Sequence, residues 1–262
     1  MKKRSLVHPG VWLLLCLVVL VAGPLITIAT GKVSLRGDWA TATHRSSGIA
    51  PDPIGHPEAV VQVYGGRTFG WRGAFAVHTW LAAKPAGAER YVRYEVIGWY
   101  ARAGRSAISV SSSRAPDAEW YGAAPELIRD LRGAEAEAVI ARLDEATASY
   151  PYANRYSAWP GPNSNTFVAW IGREVPELRL HLPPTAIGKD YLPNAAPLGL
   201  TPAGRGAQLS LLGVAGVLAG WDEGVELNLL GLTFGFDVRA PALKLPAVGR
   251  VGLSPSPARE GR

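Results

Sequence analysis

The chain has one cysteine, Cys16, among its 262 residues. A single cysteine excludes an intramolecular disulfide and a cysteine-based zinc site. Cys16 also lies in an apolar N-terminal run, so the remainder of the chain has no thiol nucleophile. Histidine is scarce as well. His8, His44, His56, His78 and His181 are far apart, and no pair has the i, i+4 spacing of a helical metal site. HExxH, Walker-type and dinucleotide-binding patterns are missing. We therefore expect neither a metal nor a cofactor. Charged residues make up only 18% of the chain. No lysine–arginine run interleaved with aromatics follows the first residues, so the net charge of +6 does not point to nucleic acid. An anionic membrane or cell-wall surface suits that charge at least as well.

Turn formers are abundant, with 30 glycines and 21 prolines, and so are tryptophans, with nine. The glycines and prolines predict many short connections rather than a helical bundle. The tryptophans predict a well-filled core or an interfacial surface.

The N-terminal residues "MKKRS" precede "VWLLLCLVVLVAGPLITIA", residues 11–29, a run of 19 without a charge. That length suffices to cross the hydrocarbon core as a helix. Three preceding cations favour a cytoplasmic N-terminus. The length favours an uncleaved anchor, residues 1–31, over a cleaved signal segment, whose apolar core is usually shorter. Either reading places the main domain outside the cytoplasm. The anchored reading makes this a single-pass protein of a bacterial inner (cytoplasmic) membrane, facing the envelope.

Residues 32–57 are polar and read as a linker. "AVVQVYGG" (59–66), "AFAVHTWLAA" (74–83), "RYVRYEVIGWY" (90–100) and "SAISVSSS" (106–113) read as strands of an antiparallel meander. "APELIRDLRG" has Pro125 early and Gly133 last, which predicts a short helix. "AEAEAVIARLDEATAS" (134–149) predicts a longer one with an apolar stripe of Val139, Ile140 and Leu143. Another helix is expected from about Ser164, ending near Gly172 or before Pro176. Residues 58–200 would form this α+β domain. Residues 201–253 are apolar, glycine-rich and sparse in charge: "AQLSLLGVAGVLAGW" fits either a strand or a buried helix, and "GVELNLLGLTFGFDV" alternates and reads as a strand. They read as a hairpin or extension, a possible oligomer or membrane contact, followed by a polar tail, residues 254–262.

The chemistry-bearing stretch is "WPGPNSNTF", residues 159–167. Ser164 shares a helix face with Phe167, Val168 and Ile171, so it points inward. Capping by serine or asparagine explains such a position without any catalysis. A nucleophile at a helix N-terminus explains it too, because free N–H groups there stabilise a developing oxyanion. In the second strand His78 shares a face with Ala74, Ala76 and Trp80. It is either a hydrogen-bonded core histidine or a base beside a small-residue clearing. Glu95, on the third strand, is the candidate acceptor for His78, with Arg93 or another surface charge as its alternative partner. Asn163 and Asn165 flank Ser164. Arg155 and Tyr156, in the preceding loop, are candidate contacts for a substrate carboxylate.

His78 in "AVHTW", then further strands, then Asn163-Ser164 in "NSNTFV" form a pattern that resembles the permuted papain-like fold of NlpC-type cell-wall peptidases and lecithin:retinol acyltransferases. Residues 59 to about 185 also look like an uncharacterised family of exported bacterial proteins with "GPNSNTF" as its characteristic string. The resemblance implies an antiparallel sheet carrying a nucleophile-type helix. It places Ser164 where the group has its catalytic cysteine. A serine hydroxyl needs a placed base, which His78 would supply. Two functions follow as expectations. One is a serine-dependent hydrolase or acyltransferase acting on amide or ester bonds of cell-wall peptides or lipids. The other is a catalytically inactive binding or scaffolding module of the envelope.

Overall fold

The computed structural model describes residues 9–31, 33 and 42–253, without the side chains of positions 9, 12–17, 19 and 20. The cationic N-terminus, part of the expected linker and the expected polar tail lie outside the described residues.

The apolar N-terminal run forms helix α1, Pro9–Ala29. Among the described residues, no helix is long and apolar enough to cross a membrane. The expected span, residues 11–29, falls on α1, where the side chains of 12–17, 19 and 20 lie outside the described residues. The body is α+β. Its first unit contains β1 (Val60–Arg67), β2 (Val77–Lys84), β3 (Val92–Val96), a short α2 (Gly98–Arg102), β4 (Ile108–Ser111), β5 (Glu126–Arg132), α3 (Gly133–Ala148) and α4 (Ser164–Glu174). The strands form an antiparallel sheet in the order β4-β3-β2-β1-β5.

Two elements differ from expectation here. The stretch over Glu126–Arg132 is a strand, not a helix. β1 is central and fully buried along most of its length, so its second row of backbone groups needs partners. β5 supplies them, with Val61 opposite Leu131. The third strand stops at Val96, and the predicted remainder turns into α2.

One face of the sheet carries α3 and α4 over a core of Val61, Val63, Leu81, Leu143, Phe167 and Ile171. The other carries Tyr64, Trp80 and Trp120. Residues 42–50 run across this second side and are tied to buried Asp117, which accepts from Ser46 Oγ (2.8 Å) and Ile49 N (2.7 Å).

The expected C-terminal hairpin is larger than a hairpin. β6 (Leu198–Leu200), β7 (Gly206–Leu211), β8 (Ala215–Gly220), β9 (Gly224–Leu229), β10 (Leu232–Asp237), β11 (Ala242–Leu245) and β12 (Gly249–Gly252) form a seven-stranded antiparallel sheet in sequence order. The stretch left open between strand and buried helix is the β7–β8 hairpin. Its strands alternate, as in the buried and exposed succession of β9. Glycines near the turns allow the tight reversals.

Candidate functional site

The start of α4 is built by three polar side chains in a row. Asn163 caps the helix: its Oδ1 accepts from the N–H groups of Asn165 (2.9 Å) and Thr166 (3.1 Å), and the Thr166 hydroxyl accepts from Asn163 N. The Asn163 amide donates to the carbonyls of Ala158 and Ile187. Asn165 sews α4 to β2. It accepts from Thr79 Oγ1 (2.9 Å) and donates to Val77 O (3.0 Å) and Ile187 O (2.7 Å). Both amides are thus consumed by the fold, although both side chains reach the wall of the cavity described below. The hydroxyl of Ser164, between them, makes no hydrogen bond among the described residues. Ser164 is nevertheless only 3% exposed.

His78 belongs to a different layer. Thr79 faces α4, so strand alternation turns His78 to the opposite face with Trp80 and Ala82. There its ring stacks on Trp120, with centroids 3.5 Å apart and planes 5° from parallel. Gly66, opposite His78 on β1, permits this: a Cβ there would stand 2.8 Å from that of Trp120. Glu95 occupies the same face. Its Oε2 lies 3.3 Å from His78 Nε2 and 2.8 Å from Arg93. The expected acceptor therefore meets His78 and, at the same time, the rival partner Arg93. Burial pushes the imidazole below its ordinary range, against the hydrogen bond to Glu95. Burial alone would raise Glu95, but the hydrogen bond from His78 and the charge of Arg93 prevail and hold it at about 2. At neutral pH the pair is a neutral imidazole on a carboxylate.

Ser164 and His78 meet at a cavity of about 1050 Å³ that both line. No hydrogen bond joins them among the described residues. Most of the wall is apolar or aromatic, including Phe69, Phe75, Trp99, Trp120, Trp159 and Leu230. Its charged groups are Arg72 and Arg102, and no carboxylate lines it among the described residues. Tyr156 is part of this wall, and burial raises its phenol. Arg155 is not part of it: its guanidinium lies 5.8 Å from the Tyr152 ring centroid. Glu95 stands behind His78, outside the lining.

Of the residues singled out from sequence, His78 and Glu95 come together, and Asn163, Ser164, Asn165 and Tyr156 share the cavity wall. Trp120, Arg72 and Arg102 escaped notice. They come from segments without a motif, and only the folded chain brings them beside residues 78 and 164. No group of three or more metal-ligating side chains occurs among the described residues.

Neither curated proteins nor solved structures yield a match. A family profile described as "Protein of unknown function (DUF3750)" matches residues 58–191, which is half of the chain and takes in β1 through the segment after α4. The chain belongs to this DUF3750 family.

Proposed function

We propose that the chain is an envelope protein tethered by α1, and that its cavity binds an amphiphile with an apolar body and an anionic group. The observation that carries this is the lining: aromatic walls with two guanidinium groups and no carboxylate among the described residues. Apolar walls take up hydrocarbon surface at roughly 25 cal/mol per Å². Arginine favours a carboxylate or phosphate over a neutral head group. The tether rests on the charge-free residues 11–29 and the cations before them.

The test is quenching of the cavity tryptophans in the full chain, held in nanodiscs, by a brominated fatty acid. We expect saturable quenching and at least tenfold weaker binding by the Arg72→Ala/Arg102→Ala double variant. The matching brominated alcohol should bind both forms weakly. Equal binding of acid and alcohol by both proteins would refute the assignment.

A second reading has its own support. The Ser164 hydroxyl stands at the N-terminus of α4 and reaches the same cavity as His78. This is the nucleophile position of the permuted papain-like resemblance. In that reading Ser164 Oγ attacks an acyl carbonyl and His78 takes its proton. Glu95 holds Nε2, which leaves Nδ1 as the basic atom. The separate faces of β2 weigh against it, since a general base must come within hydrogen-bond reach. Labelling by a fluorophosphonate probe that vanishes in both Ser164→Ala and His78→Ala would establish this chemistry. A folded wild type that stays unlabelled leaves the binding reading alone.

A further inference from the structure

The seven-stranded sheet has its polarity reversed relative to a water-exposed sheet packed on a core. Its inner face buries Gln208, Glu226 and Lys244, and Glu226 lies between the ammonium groups of Lys189 (2.6 Å) and Lys244. Its outer face is apolar across all the strands. One cross-strand row reads Leu198, Leu209, Val217, Leu227, Phe234. Leu198, Leu209 and Leu227 are about half or more exposed, and no outward strand position carries a polar side chain. Six inter-strand spacings and strands of three to six residues make this face roughly 30 Å by 10–20 Å. That area matches the largest apolar patch of ordinary monomers.

The two ends of the sheet also differ. One end is formed by residues 212–214, 230–231 and 246–248, whose sequences, Leu-Gly-Val, Leu-Gly and Pro-Ala-Val, have no charge. The other end carries Arg205, Asp222 and Arg239, joined through Asp222, beside exposed Trp221. The uncharged end touches α1. A Cβ at Gly23 would collide with the carbonyl of Pro246, and Thr27 Oγ1 donates to Ala247 O (3.2 Å). Gly23 lies six residues before Ala29, so about 9 Å inside the charge-free run at 1.5 Å per residue.

We propose that the outer face of this sheet seats on the outer leaflet of the membrane that holds α1, with its uncharged end deepest. The proposal rests on the tether reading above. The contact between the turn over residues 246–248 and the interior of the apolar run selects lipid over a second copy of the chain. If α1 is in hydrocarbon at Gly23, that turn is at the level of the acyl chains. The opposite end places Trp221 with charged groups, a pairing suited to the head-group zone. Seating differs from spanning here. Among the described residues β6 and β12 have unpaired outer edges, and open edges are not tolerated within hydrocarbon. Only the side chains of one face and the uncharged turns enter the lipid, to a depth like that of an interfacial helix.

The test uses the full chain in phosphatidylethanolamine–phosphatidylglycerol vesicles, with some lipids carrying an acyl-chain nitroxide. An environment-sensitive fluorophore is placed on Leu227→Cys or, as control, on Glu137→Cys of α3, each in a Cys16→Ser background. A third sample carries it on the native Cys16. We expect the Leu227 label to lose most of its emission to the nitroxide lipid and little to aqueous iodide. The Glu137 label should do the reverse. Iodide quenching at Leu227 would overturn the proposal. Protection from both quenchers would overturn it too, in favour of a protein partner such as a second copy. The Cys16 label tests the tether separately. Nitroxide quenching at Cys16 without quenching at Leu227 keeps the tether and removes the docking face. Quenching at Leu227 alone removes the tether and leaves the docking face standing.

Discussion

Glu95 shows how one side chain can hold a layer together. It is buried, it binds His78 and Arg93, and Arg93 in turn lies 4.1 Å over the Trp80 ring. Its carboxyl sits at about 2 against an ordinary 4.5, so its contribution to stability is complete above pH 4.5 and fades as pH falls toward 2. His78 acts in the same direction. Its folded-state value is lowered, so the unfolded chain takes the proton first, and stability falls as pH drops through the ordinary 6.5. Thermal unfolding followed by tryptophan near-ultraviolet dichroism should therefore show a midpoint that declines from pH 7 to 5 and more steeply below 4.5. Glu95→Gln should make the steeper limb shallower, leaving the share that belongs to Glu226 and Asp237, whose carboxyls are also lowered. At pH 7 it should cost about 3 kcal/mol, because Arg93 is left buried without its closest counter-charge. This pair was legible in the sequence only as an alternative, with Glu95 assigned to either His78 or Arg93. The period of two put all three residues within reach of one face. It could not say which face α4 would cover, because β2 is buried on both sides.

Among the elements, α4 was the most legible. Its proline-glycine approach, its asparagine cap and its Phe167, Val168 and Ile171 stripe are local signals, and the observed helix begins at the expected residue. Asn163→Ala should cost about 2 kcal/mol, since it removes the cap and takes the donor from the half-buried Ala158 carbonyl, while Ile187 O keeps Asn165. Chemical denaturation of the full chain in detergent would measure this. Asn163→Asp should retain the cap but lose both amide donations, so it should fall between wild type and Asn163→Ala. β5 was not legible. Residues 126–132 become a strand because the second edge of β1 is free, and that edge lies some sixty positions upstream in the chain. Local propensity carries no information about such a demand.

In the whole molecule, the second sheet meets the segment after α4 over charge rather than oil. Lys189 follows α4 in the first unit, whereas Glu226 and Lys244 lie on β9 and β11. His181 is drawn in beside Lys244, with burial and the neighbouring ammonium holding it down at about 3. Glu226→Ala should cost about 3–5 kcal/mol by leaving two buried ammonium groups uncompensated. It should also expose residues 198–252 to protease before residues 60–174, as mass spectrometry of limited digests would show. Glu226→Ala/Lys189→Met should recover part of the loss. The alternation of residues 201–253 and their scarcity of charge were visible from sequence. The number of strands was not, because glycine-rich segments satisfy several element types until their partners are known.

The order of pairing has a consequence for how the chain acquires its structure. In the second sheet every hydrogen-bonded neighbour is also the next strand in the chain. Each pairing therefore closes a short loop and loses little chain entropy. The first sheet cannot begin this way throughout, because β1 waits for β5 across the whole of β2 to β4. Low contact order goes with fast folding. In pulse-labelled hydrogen exchange during refolding, the amides of β7 to β10 should gain protection before those exchanged between β1 and β5. The unit that carries the polar inner face would then exist early, as a ribbon that has yet to find the body on which it closes.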